Sequence, residues 1–175
     1  MNKVIIIGTG GSYKMICEIH QEFLKHKEII SIKYQNLNSL KIYNPQIPVI
    51  LAIGANRNVE YRKKSLHFLN KMGFSLQSVI SPKSIVSNKA KIGKGCIIMP
   101  GAIINTNSIL NDNVFINTGA IVEHDCVIGE SSFLATGCTL LLKNRKSDTK
   151  KIKSLLGFTP EITPQEGLTY FVENT

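Results

Sequence analysis

The sequence predicts an α/β unit, then a short stack of parallel β coils, then a helical tail. Three observations lead there. Strand and helix patterns alternate through residues 1–79, an aliphatic residue recurs at every sixth position from Ile80 to Leu140, and the six-residue period fails at Lys146 and does not return. The boundaries that follow are 1–79 for the first unit, 80–142 for the coils and 143–175 for a basic linker and tail.

In the first unit KVIIIG, EIISIKY and PVILAIG read as strands, with helical patterns after the first and third and a last strand near FSLQSVI, giving β-α-β-β-α-β. The first strand runs into Gly8-Thr9-Gly10-Gly11, and Ser12 opens the helix. Glycines at a strand-to-helix turn let backbone N–H groups approach a phosphate at the helix N-terminus. GTGGSYK is not GxGxxG, and no acidic residue follows the second strand in IKYQNLN, so one sugar nucleotide suits the turn better than a dinucleotide. Gly8, Gly10, Gly11 and Ser12 are therefore candidate substrate-binding residues. A plain structural turn is the alternative.

The periodic region has two inward columns. One is Ile80, Val86, Ile92, Ile98 and onward at every sixth position to Leu140. The other lies four residues later, from Ser84 to Cys138, and is small except at Val114. One aliphatic and one small residue per six suit a coil with three flat faces and eighteen residues per turn, stacked as parallel strands. The stretch makes a little over three coils, a prism about 15 Å tall at the usual strand spacing. Outward residues one before each inward aliphatic (Ile97, Ile103, Ile109, Phe115, Ile121 and Val127) should form an exposed apolar ladder, which marks an interface.

Composition narrows the function classes. The chain has 175 residues, 43% of them apolar, and no apolar run long enough for a membrane helix or a signal peptide, so a cytoplasmic protein is expected. Cys96, Cys126 and Cys138 fall in the small column, and with Cys17 they form no CxxC pair, so neither disulfides nor a metal site is expected. The net charge of +9 is scattered except for Lys143, Arg145, Lys146, Lys150, Lys151 and Lys153, which points to small polyanions rather than nucleic acid.

In GAIVEHDCVIGE the inward columns claim Val122 and Cys126 and leave Glu123, His124 and Asp125 outward. His124 is the one histidine between residues 80 and 142, which rules out a three-histidine zinc site there. Acid/base work by an imidazole beside a carboxylate, or a solvated surface histidine, both remain open on the repeat alone.

The order GTGG, AIGANRNVEYRKK, AKIGKGCIIMPGAIINTNS and NVFINTGAIVEHDCVIGE resembles the bacterial sialic acid O-acetyltransferase and UDP-amino-sugar N-acetyltransferase family of hexapeptide-repeat transferases, over residues 1 to about 140. The resemblance implies a half-Rossmann N-terminal unit and a left-handed β-helix. It also implies His124 as general base, Asp125 as its orienting carboxylate, Asn56 on the sugar-nucleotide side and Gly137 on the acetyl-coenzyme A side. The coenzyme would lie between neighbouring prisms of a homotrimer. Ser12 and Phe133 stand where the family often has histidines, the acidic pair after the second strand is absent, and the family's further coils are replaced.

The replacement, SDTKKIKSLLGFTPEITPQEGLTYFVENT, reads as two short helices. One follows Ser147 or Asp148 and closes at Gly157 and Pro160; the other opens at the capping box Thr163-Pro164-Gln165-Glu166. This tail resembles the C-terminal segment of nucleotide-sugar epimerases and dehydratases. Two functions follow: an acetyl-coenzyme A dependent acetyltransferase acting on an amino or hydroxyl group of an activated or sialic-acid-like sugar, or an inactive sugar-nucleotide-binding scaffold lacking part of the coenzyme groove.

Overall fold

The structure, a computed structural model, describes residues 3–19, 27–54 and 59–141. Asn56, the basic cluster from Lys143 and the two expected tail helices lie outside the described residues.

The first unit is a three-stranded parallel sheet of β1 (Lys3–Ile7), β2 (Glu28–Ile32) and β3 (Val49–Leu51), in the order β2-β1-β3. Helix α1 (Gly11–Ile19) follows β1, 3-10 turns over Tyr34–Ile42 join β2 to β3, and helix α2 (Val59–Lys71) follows β3. A fully buried strand shows apolar residues on both faces, and here alternate ones serve two cores. Ile5, Ile7, Val49 and Leu51 pack with Leu66 and Leu69 of α2, while Val4, Ile6, Ile50 and Ala52 pack with Ile16 of α1 and with the prism.

The expected fourth strand is reduced to a single bridge between Val49 and Leu76. Val79 and Ile80, the end of that pattern, instead form β4, the first strand of the prism, paired with Ile97 and Ile98. The chain leaves the sheet because Val79 is completely buried against the N-terminal unit while its neighbour begins the next core's repeat.

From β4 to β14 (Thr139–Leu140) eleven two-residue strands stack in three parallel sheets with a register of eighteen residues. The first face holds β4, β7 (Ile97–Ile98), β10 (Phe115–Ile116) and β13 (Phe133–Leu134). The second holds β5 (Ile85–Val86), β8 (Ile103–Ile104), β11 (Ile121–Val122) and β14. The third holds β6 (Lys91–Ile92), β9 (Ile109–Leu110) and β12 (Val127–Ile128). This is the left-handed β-helix.

Both inward columns form the prism core from Cys96 and Ile98 to Leu134. The end coils are less covered, having a neighbour on one side: Ile80, expected inside, is 41% exposed. From Gly95 onward a third column completes the corners. Gly95, Gly101, Asn107, Asn113, Gly119, Asp125, Ser131 and Gly137 all have φ between 58° and 72°, where glycine, asparagine and aspartate are the tolerated residues.

The outward ladder is not uniformly exposed. Ile97 and Phe115 are buried, because the first face carries the N-terminal sheet through Val4, Ile6, Ile50 and Ala52. On the second and third faces Ile103, Ile109 and Ile121 are half-buried, and only at the end strands of those faces are ladder positions well exposed, Ile85 at 66% and Val127 at 64%.

Candidate active site

His124 stands on the corner between β11 and β12, where Val122 and Cys126 turn inward and force the residues between them out. Asp125 takes the left-handed conformation, φ 58°, and its N–H donates to the Thr106 carbonyl of the coil beneath at 3.0 Å. That corner brings Asp125 Oδ2 to 2.6 Å from His124 Nδ1. Asn107, the corner residue one coil earlier, donates Nδ2 to Asp125 Oδ1 at 3.1 Å. Glu123 is held likewise: Asn105 Nδ2 donates to its carboxylate at 3.2 Å and Ser108 Oγ to its carbonyl at 2.8 Å.

The hydrogen bond from His124, and then that from Asn107, hold the Asp125 carboxyl below the usual carboxylate range. An ionised carboxylate only accepts, so Nδ1 is the donor, and in the neutral ring this leaves the lone pair on Nε2. With the two side chains 39% and 49% exposed, the imidazole is accessible at a fixed orientation, the arrangement of a general base.

The second cluster lies at the carboxyl ends of β1 and β3, the point at which strand order reverses and ligands of open α/β sheets bind. Gly8 is there for packing as well as for any ligand: at φ 121° a Cβ would come within 2.4 Å of the Ala52 carbonyl oxygen. Around Gly10 and Gly11 a Cβ would meet nothing within 4 Å, so their backbone is open to an incoming group. Ser12 abuts the loop after β3, since a Cβ on Gly54 would lie 2.6 Å from its Oγ.

His124 and Asp125 are thus brought together, and so are Gly8, Ser12 and the end of β3. The two clusters do not meet within one chain. The N-terminal sheet covers the first face, whereas His124 is on the corner between the second and third, across the prism. Gly137 is on the corner between the first and second faces, with its N–H donated to Thr118 at 3.0 Å and open space where a Cβ would be. Among the described residues no group of three His, Cys, Asp or Glu is placed to hold a metal. Asn105 and Asn107 are the site residues that sequence reasoning missed. The signal was present in the column of Gly, Asn, Asp and Ser one before the small column, which puts Asn107 eighteen residues ahead of Asp125.

No protein-family model matches the chain. Among solved structures it is similar to the acetyltransferase domain of PglB from Neisseria gonorrhoeae FA1090 in complex with acetyl coenzyme A, at 29% identity and a TM-score of 0.69, over 80% of this chain and 73% of that one. It is also similar to PerB from Caulobacter crescentus in complex with CoA and GDP-perosamine, at 29% identity and a TM-score of 0.65, over 79% of this chain and 71% of that one. WeeI from Acinetobacter baumannii AYE shares the fold at 22% identity and a TM-score of 0.65, over 78% and 72% of the two chains. In its repeat, its stacked coils and these likenesses, the chain is similar to sugar N-acetyltransferases of the hexapeptide-repeat transferase family.

Proposed function

We propose that the chain is an acetyl-coenzyme A dependent acetyltransferase that acylates an amino or hydroxyl group of a nucleotide-activated or sialic-acid-like sugar for surface glycan synthesis. The observation that carries this reading is the 2.6 Å pair of His124 Nδ1 and Asp125 Oδ2 on an accessible corner. The likeness to structures holding acetyl coenzyme A, or CoA with a nucleotide sugar, supports the substrates.

In the reaction His124 Nε2 takes a proton from the acceptor nitrogen or oxygen as that atom attacks the thioester carbonyl. A new N–C or O–C bond forms, the C–S bond breaks, and the sulfur leaves to be released as the thiol of coenzyme A with the proton held by the imidazole. Asp125 orients the ring and offsets its transient positive charge. Gly10, Gly11 and Ser12, with Asn56, are assigned to the acceptor's phosphate and sugar, and Gly137 to the coenzyme side.

Because the crevice and the dyad lie across the prism from each other, a complete site needs a second copy, and a three-fold assembly on the open faces supplies it. The exposed Ile85 and Val127 support that arrangement. A cytoplasmic setting belongs to the same reading, in keeping with four free cysteines and with no helix among the described residues long and apolar enough to cross a membrane.

Thiol release from acetyl-coenzyme A, measured with a panel of UDP- and GDP-linked amino sugars and sialic acids, tests the activity. Release with at least one acceptor is expected; nucleotide-sugar binding with no release from any of them would leave the scaffold reading. Light scattering on the intact chain should give a trimer, and a clean monomer would remove the shared site.

A further inference from the structure

Arg62, in the first turns of α2, is completely buried, yet its guanidinium meets no carboxylate among the described residues. Its Nη1 donates to the Ile53 carbonyl at 2.6 Å, and its Nη2 to both the carbonyl and Oδ1 of Asn113 at 2.6 Å. The Phe115 ring centroid lies 5.4 Å from its central carbon, and Nε has no hydrogen-bond partner among the described residues. Asn113 in turn donates Nδ2 to Ser131 Oγ at 2.9 Å, so the arginine is clamped to a corner of the prism. Burial pushes the guanidinium down to about 10, which still leaves it cationic at neutral pH.

Core filling does not call for such a residue, since a buried charge costs several kcal/mol of desolvation and an apolar side chain of similar volume is often as stable. What the fork does is join two places far apart in sequence. Ile53 is the residue before Gly54, which abuts Ser12 across the crevice at the ends of β1 and β3. Asn113 lies at the turn into β10 on the face that receives the N-terminal sheet.

We propose that Arg62 is a positioning residue of the acceptor crevice, holding the end of β3, and through Gly54 the Ser12 turn, at a fixed place on the prism. It rests on the sugar-nucleotide reading of that crevice. A lysine cannot replace it, having a single ammonium where two separate acceptor groups must be met by a planar fork.

Asn113→Gly tests this gently: glycine adopts φ 59° without strain, and the variant removes Oδ1 while keeping the backbone carbonyl. Arg62→Lys is its companion, and both are compared with the intact parent by hydrogen exchange and by calorimetry with UDP, GDP and acetyl-coenzyme A. Faster exchange is expected in peptides spanning 8–19 and 49–66, with 120–128 unchanged, and a nucleotide affinity lower by about tenfold with coenzyme affinity kept. Unchanged exchange at those peptides, or unchanged nucleotide affinity, overturns the proposal. Equal weakening of acetyl-coenzyme A also overturns it, as general loosening. If exchange rises but the parent binds neither UDP nor GDP, the sugar-nucleotide reading itself fails, and Arg62 is left as a strut without a positioning role.

Discussion

Ile97 and Phe115 on the first face of the prism are sealed under the N-terminal sheet, whereas Ile85 and Val127, at the same position of the repeat on the other two faces, are 66% and 64% exposed. The residue types are alike, and so are the backbone geometry and the register. What differs is the surface each meets. The first face finds the apolar side of a three-stranded sheet, and Arg62 lies over Phe115 at its corner. Among the described residues the other faces meet no sheet, and the His124 corner lies between them. A repeat thus makes three equivalent sides, and docking one of them separates the covered face from the corner that carries the proposed chemistry.

The largest contrast should appear in stability. Phe115→Ala is expected to cost about 3–5 kcal/mol by opening a cavity under Arg62, while Val127→Ala should stay within about 0.5 kcal/mol for an isolated chain. Denaturant midpoints measure both. A Val127→Ala cost that grows with protein concentration would show that face covered by another copy, and equal costs in dilute solution would erase the distinction between the faces.

The open corner should respond in the opposite sense, with large effects on turnover and little on folding. His124→Ala is expected to lower acetyl transfer by about a hundredfold or more while the melting temperature stays near the parent's. Turnover within a few-fold of the parent would take His124 out of the mechanism.

A smaller effect is expected at the N-terminal crevice. Gly11→Val has open space and no left-handed φ to strain it, so the fold should be kept. Nucleotide-sugar affinity should nonetheless fall by about tenfold through obstruction of the backbone, with acetyl-coenzyme A unaffected. Calorimetry showing no change would make GTGG a structural turn.

The least effect is expected from Asn107→Gly, which keeps the corner conformation and removes one of the two hydrogen bonds to the Asp125 carboxylate. Turnover should drop only a few-fold, because the hydrogen bond that is lost is exposed to water. The pH dependence has a definite sign. Asp125 is held below its ordinary range, so its carboxylate is present throughout the neutral region and is lost only when pH falls through that depressed value. Asn107→Gly should move the Asp125 titration upward. Carboxyl titration by NMR with no such movement would detach Asn107 from the site.

The sequence by itself determined the six-residue period, both inward columns, the glycine turn after β1 and the outward placement of His124 and Asp125. Each is a matter of local geometry: eighteen residues close one coil, so residue type at a fixed spacing states which side chains turn in. The tertiary structure alone decided where the N-terminal unit docks, and hence that Ile97 and Phe115 are core while Val127 is surface. It also turned Val79 and Ile80 from a fourth sheet strand into the first strand of the prism, and placed Arg62 against Asn113, fifty-one residues away in the chain. These outcomes depend on two separately formed apolar surfaces meeting in one orientation, and no periodicity within either surface records which part of the other will cover it.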